Sequence, residues 1–357
     1  MSVLTNTNSD IGIIASILRY LDHNDLDSLS LTCSTGNVVV GIFRTSAMKI
    51  EKVLLRFFKN KDEIGTFQDI QAKTGAIISG SVALQFFTRI DYDGSDLDTY
   101  SLLQHCIEIG KWLLTIGYNY KPVKNQRHVF EEDYDRILQS EGPSRVNNVV
   151  NEGDDIRGGT RYRSVNIHEV WNFQRSDGVR VQLVATRIIP EAIVLGFHST
   201  CVMNIITHKA AYSLFPFTTF KKTATVLVNA RGRLLRQYNQ AVQKYRHRGF
   251  MVNTTVPLKY AIAGEYGFTV PRWIGDRRTW VYPVEYYGKG KIPNDRAERV
   301  SWDIVYQGRQ TFMEYEGLYT GDEEREAYEE DKQFILARIE VDMFREFVGD
   351  DSRMLTM

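Results

Sequence analysis

The sequence has little of what usually assigns a function at sight. Net charge is absent: Lys plus Arg and Asp plus Glu number 44 each. That balance removes the field expected of a protein that coats nucleic acid. Nucleic acid is therefore not indicated as a partner, although a local basic groove stays open. Cysteine is scarce, with only Cys33, Cys106 and Cys201. Odd in number and far apart, they fit reduced, buried thiols better than a disulfide frame, and the cytoplasm or nucleus is the expected compartment. Neither they nor the 7 histidines show a zinc spacing. No uncharged apolar run is long enough to span a bilayer, and residues 1–10 lack the basic start and apolar core of a secretory signal, so no membrane role is expected. Internal repeats and low-complexity segments are missing. Gly153–Gly159 is no dinucleotide fingerprint, because no strand-to-helix context surrounds it.

What is present is a globular composition. In 357 residues, 43% are hydrophobic and 25% charged, enough for two or three domains with a substantial core. The most informative stretch runs from Gly75 to Tyr100. Gln68 to Lys73 reads as a helix that Gly75 stops. An apolar strand then breaks at Gly80-Ser81 and restarts as a helix. The chain returns to a strand that carries Asp96 and Asp98 on one face, since strand side chains alternate. Backbone amides at a Gly-Ser helix start suit phosphate, and paired carboxylates suit Mg²⁺ and the triphosphate it carries. The alternative for the same acids is a solvated turn that caps a helix.

Further on, Leu102 to Ile116 has helical spacing, and residues 121–160 are polar and read as a loop or insertion. Arg163 to Phe173 and Val179 to Ala185 form a hairpin about Asp177-Gly178, and Pro190 opens a helix. The run from Lys221 through Arg248 is basic. It suits a nucleic acid or a triphosphate, or simply a solvated helix face. His198 with Ser199 and Cys201 lacks a partner acid at a recognisable spacing and reads as packing, as does His168 on its strand. Trp273, Trp280, Tyr282, Tyr286 and Tyr287 read as a loop-rich packed core, with a base-stacking platform as the other option. Glu323 to Phe347 is a charged amphipathic helix.

Ser79-Gly80-Ser81, fourteen intervening residues and Asp96-Leu97-Asp98 resemble the signature of the nucleotidyltransferase fold of the polymerase-beta and kanamycin-nucleotidyltransferase type. The resemblance implies an α/β (α+β) fold with a mixed sheet and flanking helices. It also implies Asp96 and Asp98 as metal-binding catalytic acids for Mg²⁺, Gly80 and Ser81 as the nucleotide phosphate cradle, and transfer of a nucleotidyl group to an acceptor. The family's third carboxylate falls on the strand Val179 to Val184, where this chain has Gln182. A neutral amide is a weak metal ligand and no general base. An enzyme of this kind would be impaired or would recruit Glu169 or Asp177; otherwise the core is a catalytically degenerate binding module.

Residues 11–31 resemble an F-box without its opening Leu-Pro: a helix ending in Tyr20-Leu21, an Asp-Leu helix that Asn24 or Asp25 can cap, then Ser30-Leu-Thr-Cys33. That likeness implies a Skp1-type ubiquitin-ligase adaptor as partner of residues 10–50. A plain helical cap on the next domain is the other reading. The two segments together, with Val181-Gln-Leu-Val184, Phe197-His-Ser-Thr200 and Lys244 to Phe250, resemble fungal proteins of the basidiomycete type that join such a head to such a core. The expected division is a head at 1–60, a core at 61–249 and an extension at 250–357.

Overall fold

The computed structural model describes residues 8–92, 94–140, 166–228, 242–256, 268, 272–307 and 310–318. Four helices open the chain: α1 (Asn8–Leu18), α2 (His23–Thr32), α3 (Ser34–Ala47) and α4 (Ile50–Leu54). Asp22 caps α2 by accepting from the Asp25 amide, so the cap lies two residues ahead of the expected Asn24. Next come α5 (Lys61–Thr74), β1 (Ile77–Ser79), α6 (Gly80–Thr88), β2 (Leu97–Leu102), α7 (Leu103–Thr115), β3 (Asn119–Tyr120) and α8 (Phe130–Ser140). The hairpin β4 (Ile167–Gln174) and β5 (Arg180–Thr186) turns at Asp177-Gly178, and α9 (Pro190–Leu195) starts on its proline, both as the local chemistry requires. The remainder comprises β6 (Asn204–Ile206), β7 (Ala210–Ser213), a π-helical turn Phe217–Lys221, β8 (Ala224–Val226), β9 (Met251–Asn253), β10 (Arg272–Trp273), β11 (Trp280–Pro283), β12 (Val300–Gln307) and β13 (Gln310–Leu318).

Eight strands make one mixed sheet in the order β11-β7-β6-β1-β2-β5-β4-β3. Only β2 and β5 run parallel; every other neighbouring pair is antiparallel. A parallel pair needs a long crossover, and α7, β3, α8 and β4 lie within it. The architecture is thus mixed α/β, as the sequence implied.

One apolar cluster runs from Met48 to Val284 and includes Phe57, Phe58, Phe67, Phe87, Trp171 and Phe173. A second joins Ile77 and Tyr212 to Phe268, Trp302 and Met313. The head has its own small cluster of Leu18, Leu26, Val40 and Phe43. Among the described residues no helix is long and apolar enough to cross a membrane.

Several expectations give way. The stretch 121–160 contains α8, because Phe130, Tyr134 and Ile137 supply a helical apolar stripe that its many charges disguise. Asp133 on that helix is fully buried and takes the Trp171 indole N–H at 2.9 Å. The expected boundary near Gly249 falls inside one sheet, since β11 is an edge strand of the central sheet paired with β7. Cys33 is exposed and accepts from the Gly36 amide at the start of α3; Cys106 and Cys201 are buried as expected. The helix expected from Glu323 to Phe347, residues 141–160 of the polar stretch and residues 229–241 of the basic run lie outside the described residues.

Candidate functional site

The site is built where three strands bring one row of residues together. Ser79 on β1 lies opposite Asp98 on β2, and Asp98 lies opposite Gln182 on β5. Asp96 sits just before β2 begins. The turn from β1 into α6 is made by Gly80, whose φ of +70° is open mainly to glycine. Asp98 presses against it: a Cβ on Gly80 would stand 2.3 Å from Asp98 Oδ2.

The first turn of α6 has no side-chain cap. Ser79, which could provide one, instead donates its hydroxyl to the Asn204 carbonyl at 2.7 Å. The helix therefore begins with uncapped amides and the positive end of its dipole at the acidic pair. Two cations reach this point from a distant part of the chain. Lys244 Nζ, on the helical segment 242–247, lies 3.3 Å from Ser81 Oγ, and Arg248 Nη1 lies 3.4 Å from the same oxygen. The Arg248 guanidinium also stacks over Tyr92, 3.9 Å from the ring centroid, which fixes its direction. Lys244 is exposed and Arg248 half-buried, so this part of the run keeps a solvated face while two of its cations reach Ser81. Desolvation, then Arg248, pull the Lys244 pKa down, opposed by Asp98 and Asp96.

The two carboxylates differ. Asp96 accepts from Arg180 Nε at 2.6 Å and from Gln182 Nε2 at 3.2 Å. Gln182 presents its NH₂, as it must to an acceptor-only group. Asp98 receives no hydrogen bond from the described residues. Its carboxyl is densely surrounded although part of the residue meets solvent; burial, and then the charge of Asp96, push its pKa up to about 7, with Lys244 pulling the other way.

The remaining candidates stand elsewhere. Glu169 lies opposite Ala185, three residues along β5 from Gln182, and bonds Arg136 at 3.4 Å. Asp177 is held by Arg175 in the hairpin turn at 2.7 Å. Each therefore pairs with an arginine of its own, and neither is bonded to Asp96 or Asp98. His198 packs with its ring 6.0 Å from Tyr245 and shares a short hydrogen bond with the buried Ser199; burial lowers its pKa to about 4. His168 lies at a register irregularity in β4. Of the aromatic group, Trp280 and Tyr282 pack around Phe87 and Phe220 and form no open platform.

Among the described residues no three of His, Cys, Asp and Glu converge on one point. Mg²⁺ is commonly held by one or two carboxylates, with phosphate oxygens and water completing its shell. Asp98, free of donors and short of counter-charge, and its neighbour Asp96 fit one such ion. With the neutral Gln182 opposite Asp98, the two acids do not make a two-metal cluster. No family model, curated protein or solved structure matches this chain.

Proposed function

We propose that the chain binds a nucleoside triphosphate with Mg²⁺ at the head of β1–α6–β2, on a nucleotidyltransferase-like core, and that the reaction such a site serves is nucleotidyl transfer to an acceptor hydroxyl. One observation carries it: Lys244 and Arg248 converge on Ser81 at the uncapped start of α6, beside a pair of carboxylates. Cations, amides and a hydroxyl on one side and acids on the other are complementary to a polyphosphate bound through a metal. The antiparallel β1–β2 pair with β5 parallel to β2 is consistent with that core.

In this reading Gly80 lets the backbone approach the phosphates, and Ser81, Lys244 and Arg248 hold them. Asp96 and Asp98 hold Mg²⁺, which when bound neutralises phosphate charge and lowers the pKa of an attacking hydroxyl. Arg248, anchored on Tyr92, keeps the phosphates in one place, so orientation contributes as well as charge. The test is calorimetric titration with Mg²⁺ and each of the four common nucleoside triphosphates, beside Asp96→Ala/Asp98→Ala, followed by an assay for release of pyrophosphate. Mg²⁺-dependent binding lost in the double variant is expected. No binding in the native chain, or binding indifferent to both substitutions, would sink the reading.

A second reading is favoured by Gln182 and by the head. Ile13, Ile17 and Tyr20, at and beyond α1, are exposed, as are Leu31 on α2 and Val38 and Ile42 on α3. Apolar pairs at i and i+4 facing solvent are the form of a protein-docking helix face. Here the core binds a ligand without transfer, and the head recruits a Skp1-type adaptor. Co-purification with that adaptor, abolished by Ile13→Glu/Ile17→Glu/Ile42→Glu in the full chain, is the expected result; a chain that never associates with it removes this reading.

A further inference from the structure

Asp96, unlike Asp98, already has a resident cation. Arg180 Nε meets Asp96 Oδ1 at 2.6 Å, and the same guanidinium reaches the Gly94 carbonyl at 3.3 Å, which ties the segment before β2 down over the start of β5. Gln182 occupies the other oxygen, Oδ2. The Arg180 side chain is 52% exposed and Asp96 22%, so the pair is rim-like and breakable. Across the row, Asp98 has Lys244 as its one counter-charge among the described residues. A divalent cation arriving at this pair therefore finds one open carboxylate and one covered by an arginine.

We propose that Arg180 is a counter-ion which the divalent cation must displace from Asp96, so that the protein takes up its metal more readily together with the triphosphate than alone. The inference rests on the reading of the site as a metal and nucleotide site. The physical reason is ligand count. Metal without nucleotide gains one free carboxylate and must break an ion pair to gain the second. The triphosphate adds its own oxygens to the ion, and Lys244 and Arg248 add affinity for the phosphates. Arginine cannot be deprotonated to clear the way, so the barrier is present at every working pH. Since Gln182 is neutral, its amide adds a hydrogen bond to be broken and no charge.

The experiment is titration of Mn²⁺, as a spin-detectable probe, into the full chain without nucleotide and then with ATP. It compares the native protein with Arg180→Ala, Arg180→Gln, Arg180→Lys and Arg180→Ala/Asp96→Asn. Without nucleotide, the Ala and Gln variants are expected to bind Mn²⁺ up to about fivefold more tightly than the native chain, the worth of a half-exposed ion pair. Arg180→Lys stays near native, because an ammonium still neutralises Asp96, and the double variant loses the gain. Equal or weaker binding in both Ala and Gln variants overturns the displacement idea; if Mn²⁺ with ATP still binds the native chain, the site reading survives that result. Absence of Mn²⁺ binding in every protein, with and without ATP, overturns both. Thermal melts followed by circular dichroism verify that each variant is folded, and with two neutral substitutions a single misfolded one does not remove the test.

Discussion

Asp98 Oδ2 lies where a side chain on Gly80 would begin, 2.3 Å from the position its Cβ would take. The relationship couples a backbone turn to a carboxylate across two strands. Each restricts the other: the turn needs a left-handed residue, and the acid needs that residue to have no side chain.

Gly80→Ala therefore combines strain at φ +70° with a collision, whereas Gly94, at φ +68°, has nothing within 4 Å of its would-be Cβ. Gly94→Ala should cost about 1 kcal/mol, and Gly80→Ala at least about 1 kcal/mol more. Urea denaturation of the two variants checks the difference. Equal costs would mean that Asp98 moves aside freely.

Lys244 and Arg248 meet at one oxygen, so each contributes a charge-assisted contact to a phosphate bound there. Lys244→Ala and Arg248→Ala should each weaken triphosphate binding about tenfold or more, and Ser81→Ala by less, on the usual scale of charged against neutral hydrogen bonds. Calorimetry reads the affinities. The affinity should also fall as salt is raised, since the contacts are ionic.

His23 attaches the head to the core: Nε2 lies 2.9 Å from the Phe87 carbonyl, with the Trp280 ring centroid 4.7 Å away. Burial chiefly, with Arg89, Arg44 and Lys221 adding to it, depresses its pKa from 6.5 to about 4 against the opposing carbonyl hydrogen bond. A base with a lowered folded pKa stabilises fully above its unfolded pKa. That contribution is lost as pH falls from about 6.5 to about 4, because the unfolded chain takes up the proton first. Between pH 7 and pH 5 the native chain should lose about 2 kcal/mol more stability than His23→Gln. Denaturation at both pH values, followed by Trp fluorescence, measures it.

Asp133 is the buried node that ties α8 to β4. It accepts from the Arg127 amide at 2.7 Å, Arg136 Nε at 2.8 Å and Trp171 Nε1 at 2.9 Å. Asp133→Ala leaves the Trp171 N–H without its acceptor and should cost about 3 kcal/mol, while Asp133→Asn, which keeps one acceptor, should cost less. Chemical denaturation gives both values.

The parts of this protein that the sequence determined alone are those set by neighbours in the chain. Gly75 ends α5, Asp177-Gly178 turns the hairpin, Pro190 opens α9, and Gly80-Ser81 starts α6. Each follows from turn and cap chemistry within a few residues. Strand alternation made Asp96 and Asp98 legible as a pair, whereas Gln182 was set beside them only by the family resemblance, and the parallel pairing that puts it opposite Asp98 came from the structure. Tertiary structure alone decided what faces them. Lys244 and Arg248 are separated from Ser81 by 163 and 167 residues, and their periodicity on a helix says which face they share, not what that face covers. The same holds for α8, whose three apolar residues mattered only once Trp171 and Phe173 were beside them, and for β11, which the π-helical turn and the head help to cover at the edge of the sheet. Local chemistry sets conformation over a few residues, whereas a site depends on long-range burial and charge, which exist only when the chain is closed.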